Sequence, residues 1–216
     1  MTSIKAALFD LDGVVVDTED EYTLFWNEQG RLYRSDIPNF ALGIKGYTLT
    51  QVFQEFFADT PRLHTPITQA LDAHERSMKY NYIAGAPDFI KLIRASGIKT
   101  ALVTSSNNKK MEAVFAIRPE LKNLFDLVVT ADSVKKSKPD PEGYLLAAKT
   151  LNANTNEAVV FEDSFSGLRA GKASGMPVIA LSTTLTPEQV APFCRFSISN
   201  YVNASLELLE RAIQQS

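Results

Sequence analysis

Residues 4–18 read Ile4-Lys-Ala-Ala-Leu-Phe-Asp10-Leu-Asp12-Gly13-Val-Val-Val-Asp-Thr18. The opening run, Ile4–Phe9, is nearly continuous in apolar residues. A strand covered on both faces has that texture, whereas a strand with one wet face alternates. The run stops abruptly at two carboxylates spaced two apart. In an extended chain such side chains project to the same side, and the following glycine permits a sharp turn. Oxygen ligands of this kind suit a hard cation such as Mg²⁺. A strand that simply ends in a polar turn is the plainer alternative.

Working outward, the same apolar texture recurs at Lys99–Thr104, Leu127–Thr130, Ala158–Phe161 and Val178–Leu181, and more weakly at Phe196–Ile198. Helical patterns lie between these runs, at Pro87–Ala95, Met111–Ile117, Pro141–Leu151 and Ala204–Ile213. Strands alternating with helices imply βαβ units and a parallel sheet, so the predicted class is α/β with a Rossmann-like core. Ligands in such sheets sit beyond the carboxyl ends of the strands.

One region breaks the alternation. Between Asp17 and Ile83 the sequence shows helices at Asp20–Gln29, Leu49–Phe57 and Ile67–Tyr82 and no convincing strand. The pattern predicts an inserted helical subdomain, with Val15–Thr18 and Ile83–Pro87 as hinges. Its aromatics, Phe25, Trp26, Phe53, Phe56 and Phe57, are expected to build a small core of their own.

Composition narrows the function. Acidic residues outnumber basic ones by 25 to 22, giving a net charge of −3. No concentrated basic face marks a nucleic-acid or anionic-membrane surface. The single cysteine, Cys194, excludes a disulfide within the chain and suggests a reducing compartment. The short apolar run that ends in Asp10 is not a signal peptide, and no stretch approaches the ~18 apolar residues of a membrane span. The expected location is the cytoplasm.

The residues that follow the predicted strands carry chemistry. Thr104-Ser105-Ser106-Asn107-Asn108 places hydroxyls and free first-turn N–H groups at a helix start, which is a phosphate site or, more simply, a cap. Lys138, in Ser137-Lys138-Pro139-Asp140-Pro141, reads as a cation for a phosphoryl group or as a solvated loop lysine. Glu162-Asp163 closes an apolar strand. Carboxylates buried there are costly unless paired or metal-bound, so the metal reading is the stronger one.

In this order Asp10-Leu-Asp12-Gly-Val, Thr104, Lys138 and Glu162-Asp163-Ser resemble the four motifs of the haloacid dehalogenase-like hydrolase superfamily, over nearly the whole chain. Phe9–Thr18, the Lys-Pro-Asp-Pro segment and Phe161–Gly171 are similar to the branch that holds β-phosphoglucomutase and its phosphatase relatives. The resemblance implies a catalytic core at 1–16 and 85–216 and a mobile helical cap at 17–84. It implies a Mg²⁺-dependent phosphatase acting on a small phosphorylated metabolite, a sugar phosphate first among them, and working as a monomer.

By the same resemblance, Asp10 is the nucleophile and Asp12 the acid and base. The metal is held by Asp10, Asp12, Asp163 and Glu162, the last in the shell or beside it. Thr104, Ser105 and Lys138 hold the phosphoryl group. Lys45, Tyr47, Asn108 and Arg76 are candidates for substrate contact. The presence of Asp12 speaks against a carbon–halogen substrate. A phosphosugar mutase is the first alternative, although Tyr22 and Leu49 stand where β-phosphoglucomutase carries a histidine and an arginine. A metal- and phosphate-binding module without turnover is the second. A P-loop, a serine hydrolase and a zinc site lack their residues: Gly167–Gly171 has the wrong spacing, no Gly-x-Ser-x-Gly occurs, and both histidines, His64 and His74, lie in the predicted cap.

Overall fold

A computed structural model describes residues 4–214. The strands are β1 (Ala6–Phe9), β2 (Val16–Asp17), β3 (Asn81–Tyr82), β4 (Lys99–Val103), β5 (Leu127–Val129), β6 (Ala158–Glu162), β7 (Val178–Leu181) and β8 (Ser197–Ile198). Six of them form one sheet in the order β5-β4-β1-β6-β7-β8, and every pairing in it is parallel. All six predicted strands are therefore present, the weak one included.

Side chains alternate across this sheet as the pleat requires. Ala7, Phe9, Leu102, Phe161 and Ile179 share one buried core. Ala6, Leu8, Ala101, Val103 and Val160 share the other. Both faces are covered, which is why the strands read as unbroken apolar runs. In the centre Phe9 pairs in register with Phe161, and their rings stack at 4.3 Å.

The helices are α1 (Glu19–Tyr33), α2 (Phe40–Gly43), α3 (Leu49–Phe56), α4 (His64–Ser77), α5 (Ala86–Ala95), α6 (Asn108–Ile117), α7 (Glu142–Thr150), α8 (Phe165–Ala173), α9 (Pro187–Val190) and α10 (Glu207–Gln214). Helices α5, α6 and α10 pack on the first face of the sheet, and α7 and α8 on the second. Among the described residues no helix is long and apolar enough to cross a membrane.

Helices α1–α4 follow β1 and precede β4 in the chain. They enclose a separate core that includes Phe25, Trp26, Phe40, Phe57 and Ile67, so the aromatics serve largely as packing, as expected. His64 stacks on Phe53 at 4.2 Å and His74 on Phe25 at 5.2 Å, which makes both histidines packing residues.

Two expectations need correction here. The helix predicted to run to Tyr82 ends at Ser77. Met78 turns extended, Tyr80 takes a positive φ of 49°, and the Tyr80 hydroxyl donates to the Glu75 carbonyl at 2.9 Å. The segment after it is a strand that periodicity did not reveal. Asn81–Tyr82 pairs antiparallel with Val16–Asp17, which laces the first predicted hinge to the residues just before the second, and the Ile83 N–H donates to the Val15 carbonyl at 3.0 Å. A strand of two residues is too short to leave a period.

Gly167 and Gly171 let α8 lie close to the sheet. A Cβ on Gly171 would lie 2.9 Å from Val178 Cγ2, and one on Gly167 would overlap the Glu162 carboxylate. Gly175 differs: nothing lies within 4 Å, and its φ of +74° marks a turn after α8. Gly167→Ala is expected to lower stability by about 1–3 kcal/mol through overpacking, a fall of about 2–12 °C in the unfolding midpoint. Gly43→Ala, where nothing lies within 4 Å, should be neutral or slightly stabilising. Thermal unfolding of the two variants side by side checks this, and equal midpoints would refute the crowding at α8.

Candidate active site

Chain direction across the sheet reverses at β1. From there the chain runs outward to β4 and β5 on one side, then to β6, β7 and β8 on the other. The crevice at such a switch point is where a doubly wound sheet binds its ligands. Asp10 follows β1, Thr104 follows β4, and Asp163 follows β6. Three separate stretches of sequence thus meet at one crevice.

Asp10, Glu162 and Asp163 are all buried, and one carboxylate oxygen from each lies within 4.8 Å of the others. Lys138 enters this cluster from the loop before α7. Its ammonium donates to Asp10 Oδ1 at 2.7 Å, to Glu162 Oε1 at 2.5 Å and to the Val103 carbonyl at 3.0 Å. The peptide bond between Lys138 and Pro139 is cis. Buried and bonded to three acceptors, Lys138 is not a solvated loop lysine.

Electrostatics follow from burial. Burial pushes the Asp10 carboxyl up to about 7 despite the opposing pull of Lys138. Burial and the neighbouring carboxylates push Asp163 well above its usual range. For Lys138 burial works against the ammonium, but Asp10 and Glu162 outweigh it and the net shift is upward. Three buried carboxylates face a single ammonium that touches two of them. The excess of negative charge, held on oxygen donors alone, fits a hard divalent cation. Gly13 adds a second sign: with a φ of +73°, its bare Cα sits so close that a Cβ would overlap Asp163 Oδ2. Asp163 is also held by the Thr184 hydroxyl.

Glu162 proves different from its neighbour. Its Oε1 accepts from Lys138 and from the Tyr144 hydroxyl at 2.8 Å. Its Oε2 accepts from the Asp163 and Ser164 N–H groups and from Ser164 Oγ. The carboxylate is fully buried and its oxygens are occupied, so of the two positions expected for it the geometry favours the one outside a ligand set, as countercharge to Lys138.

Asp12 is anchored by a separate set of partners. Its Oδ1 accepts from Thr18 Oγ1 at 2.7 Å. Its Oδ2 accepts from Lys110 Nζ at 2.5 Å and Ser106 Oγ at 3.3 Å. Thr104 is buried, and its Oγ1 accepts the Ser106 N–H at 3.0 Å. Asn107 caps α6 by accepting the Lys110 N–H at 2.9 Å. The loop thus caps α6 and also lines the cavity beyond the strand ends.

These groups open on a cavity of about 980 Å³, lined among others by Asp10, Asp12, Thr104, Ser105, Lys138 and Asp163 and, from the helical insertion, by Tyr22, Lys45, Tyr47 and Leu49. The insertion touches the core at this rim: Gln51 Nε2 donates to the Lys138 carbonyl at 2.8 Å, and Ser105 Oγ reaches the Gly46 carbonyl at 3.4 Å. Lys45 faces the cavity as expected and is paired with Glu19. Two expected contacts fall elsewhere. Arg76 is exposed on α4, outside the cavity wall. Asn108 is exposed and turned to the β5 side, where Thr130 Oγ1 donates to it at 2.9 Å. Helical phase decides both, and a phase error of one residue is enough to misplace a side chain.

Sequence reasoning missed Lys110, Tyr144 and Thr184. Lys110 left one signal: a lysine in the first turn of a helix opposes the macrodipole. Tyr144 and Thr184 left none, because their partners are distant in sequence.

The fold agrees with what comparison finds. Residues 4–175 match the haloacid dehalogenase-like hydrolase family, and the chain belongs to that family. The phosphorylated carbohydrates phosphatase of Thermotoga maritima is 31% identical over 182 residues, covering 80% of this chain and 82% of that protein. The validoxylamine A 7'-phosphate phosphatase of Streptomyces hygroscopicus is 26% identical, over 87% of this chain and 90% of that one. The crystal structure of a β-phosphoglucomutase from Clostridium difficile superposes with a TM-score of 0.79 at 20% identity, over 98% of each chain, a likeness of fold.

Proposed function

We propose that the chain is a Mg²⁺-dependent phosphatase that removes the phosphoryl group of a small phosphorylated metabolite, a sugar phosphate in the first instance, by way of an aspartyl-phosphate on Asp10. The observation that carries this reading is the contact of buried Asp10 with Lys138 at 2.7 Å, beside Asp163 and at the floor of the cavity. A buried carboxylate in contact with a lysine and open to a cavity is placed to attack an anionic phosphorus centre once its own charge is offset. The names of the two phosphatases above support the substrate class.

In the first half-reaction an Asp10 oxygen forms a bond to phosphorus as the bond to the leaving oxygen breaks. Asp12 supplies the proton that this oxygen takes up with its electron pair. In the second half-reaction water attacks the phosphorus, Asp12 takes its proton, and the Asp10 carboxylate is released. Thr104, the Ser105 amide and Lys138 hold the phosphoryl oxygens throughout. Asp10, Asp163 and the Asp12 carbonyl would hold Mg²⁺, which offsets the repulsion between the carboxylates and the substrate. Residues 17–84 act as a cap that excludes water and reads the leaving group.

Tyr22 supports phosphatase over mutase. Its hydroxyl donates to Glu75 Oε1 at 2.8 Å, and burial holds its pKa well above the ordinary tyrosine value. A hydroxyl so held does not exchange protons with a sugar near neutral pH.

The test is phosphate release from a panel of sugar, polyol and nucleoside monophosphates, with Mg²⁺ or with EDTA. Metal-dependent release is expected, strongest on sugar or polyol phosphates. Conversion of β-glucose 1-phosphate to glucose 6-phosphate would make the protein a mutase instead. Bound phosphate without turnover of any substrate would make it a binding module.

A further inference from the structure

Lys110 has no part in the chemistry above, yet it is one of the most constrained lysines in the molecule. It is 6% exposed and sits in the first turn of α6, where the helix dipole repels a cation. Such a site is tolerated only with compensating partners. The first is Asp12 Oδ2, at 2.5 Å. The second is the ring of Tyr22, whose centroid lies 4.6 Å from the ammonium. The third is Glu75, close enough that Lys110 lowers its pKa against the upward push of burial. Glu75 is itself held by the Tyr22 hydroxyl at 2.8 Å. The core thus supplies Asp12 and Lys110, and the inserted helices α1 and α4 supply Tyr22 and Glu75.

We propose that Lys110 is the positioning residue for Asp12, and that Tyr22 and Glu75 seat it. The proposal rests on the phosphatase reading and on Asp12 as its acid and base. Lys110 and Thr18 grip different oxygens of the carboxylate, which fixes its rotation about the side-chain axis. Without Lys110, Oδ2 would keep only the long contact from Ser106 Oγ at 3.3 Å, and a carboxylate so loosely held on one side samples other rotamers and meets the leaving oxygen less often. The orientation of a core residue therefore depends on the helical insertion being in place.

Leaving groups provide the test. The quotient kcat/KM reports on steps up to the first irreversible one, here formation of the aspartyl-phosphate with loss of the leaving group. An alkoxide needs a proton to leave, whereas p-nitrophenolate leaves without one. Lys110→Met is expected to lower kcat/KM by about 10²-fold on an alkyl phosphate such as glycerol 1-phosphate, and by less than about fivefold on p-nitrophenyl phosphate. Lys110→Arg should recover most of the alkyl activity. Asp12→Asn should show the same bias, and adding Lys110→Met to it should cost little more, since the two act as a unit.

A merely structural lysine would lower both substrates in proportion to the folded fraction. Equal losses, no loss, or full additivity with Asp12→Asn would each overturn the proposal. If Lys110→Met does not fold, Glu75→Gln keeps the ammonium and should show the same alkyl-selective loss at smaller size; a loss equal on the two substrates refutes it. Failure of the wild-type protein to release phosphate from every member of the panel above and from p-nitrophenyl phosphate would instead refute the phosphatase reading, and this proposal with it.

Discussion

Asp10→Asn is expected to reduce phosphate release by about 10⁴-fold or more and to leave the fold intact. The amide is isosteric and keeps an oxygen to accept from Lys138, which now donates to Asp10 Oδ1 at 2.7 Å. It is too weak a nucleophile to take the phosphoryl group. Stability should move the other way. Burial raises the Asp10 carboxyl from 3.8 to about 7, against the pull of Lys138. A folded-state pKa above the unfolded one means that the folded protein holds the extra proton between those values. Ionising Asp10 therefore removes stability from the metal-free protein as pH rises through that window. In EDTA at pH 8 the variant should unfold no lower than the wild type, and its relative advantage should shrink at pH 5. Thermal midpoints at both pH values, set beside phosphate release, decide the matter. Appreciable turnover by the variant would end the assignment of Asp10 as nucleophile, and a large loss of midpoint at pH 8 would contradict the electrostatic account.

Much of this architecture was legible because the sheet is buried on both faces. Continuous apolar runs such as Ala158–Phe161 have few other uses in a chain of this composition, so strands, class and switch-point residues followed together. Asp10, Thr104, Lys138 and Asp163 stood out because each breaks an apolar run or opens a helix. What stayed hidden has a common cause. The β2–β3 ribbon has two residues per strand and is set by pairing across some sixty residues of chain. The roles of Tyr144, Thr184 and Lys110 are likewise set by partners far away in sequence. Glu162 shows the limit well: its acidity and position marked it as functional, but only its hydrogen bonds to Lys138, Tyr144 and Ser164 distinguish it from Asp163. The helical insertion was the least readable part, since Arg76 and Lys45 differ in location only through helical phase and loop geometry.

Lys138→Met is expected to be the most destabilising single change at the site. The side chain keeps much of its length and its apolar stem, so packing against Tyr144, whose ring lies 5.0 Å from the ammonium, is largely preserved. What disappears is the charge. Asp10 and Glu162, paired with Lys138 at 2.7 and 2.5 Å, would then share a buried space with Asp163 and no cation. Removing one partner of a buried ion pair costs about 3–5 kcal/mol, which corresponds to a fall of about 6–20 °C in the midpoint for a chain of this size. The loss depends on pH in a definite direction. Near pH 5, below the value of about 7 at which Asp10 ionises, that carboxyl is largely neutral and needs little countercharge. Near pH 8 it is ionised in the wild type and can be so in the variant only at the expense of folding. In EDTA the gap between wild type and variant should therefore widen from pH 5 to pH 8, and saturating Mg²⁺ should narrow it by supplying charge to the same carboxylates. A gap that is constant with pH would mean that Lys138 contributes packing rather than charge. A gap that Mg²⁺ leaves untouched would mean that the cation and the lysine do not share Asp10, which removes the ground for placing the metal there.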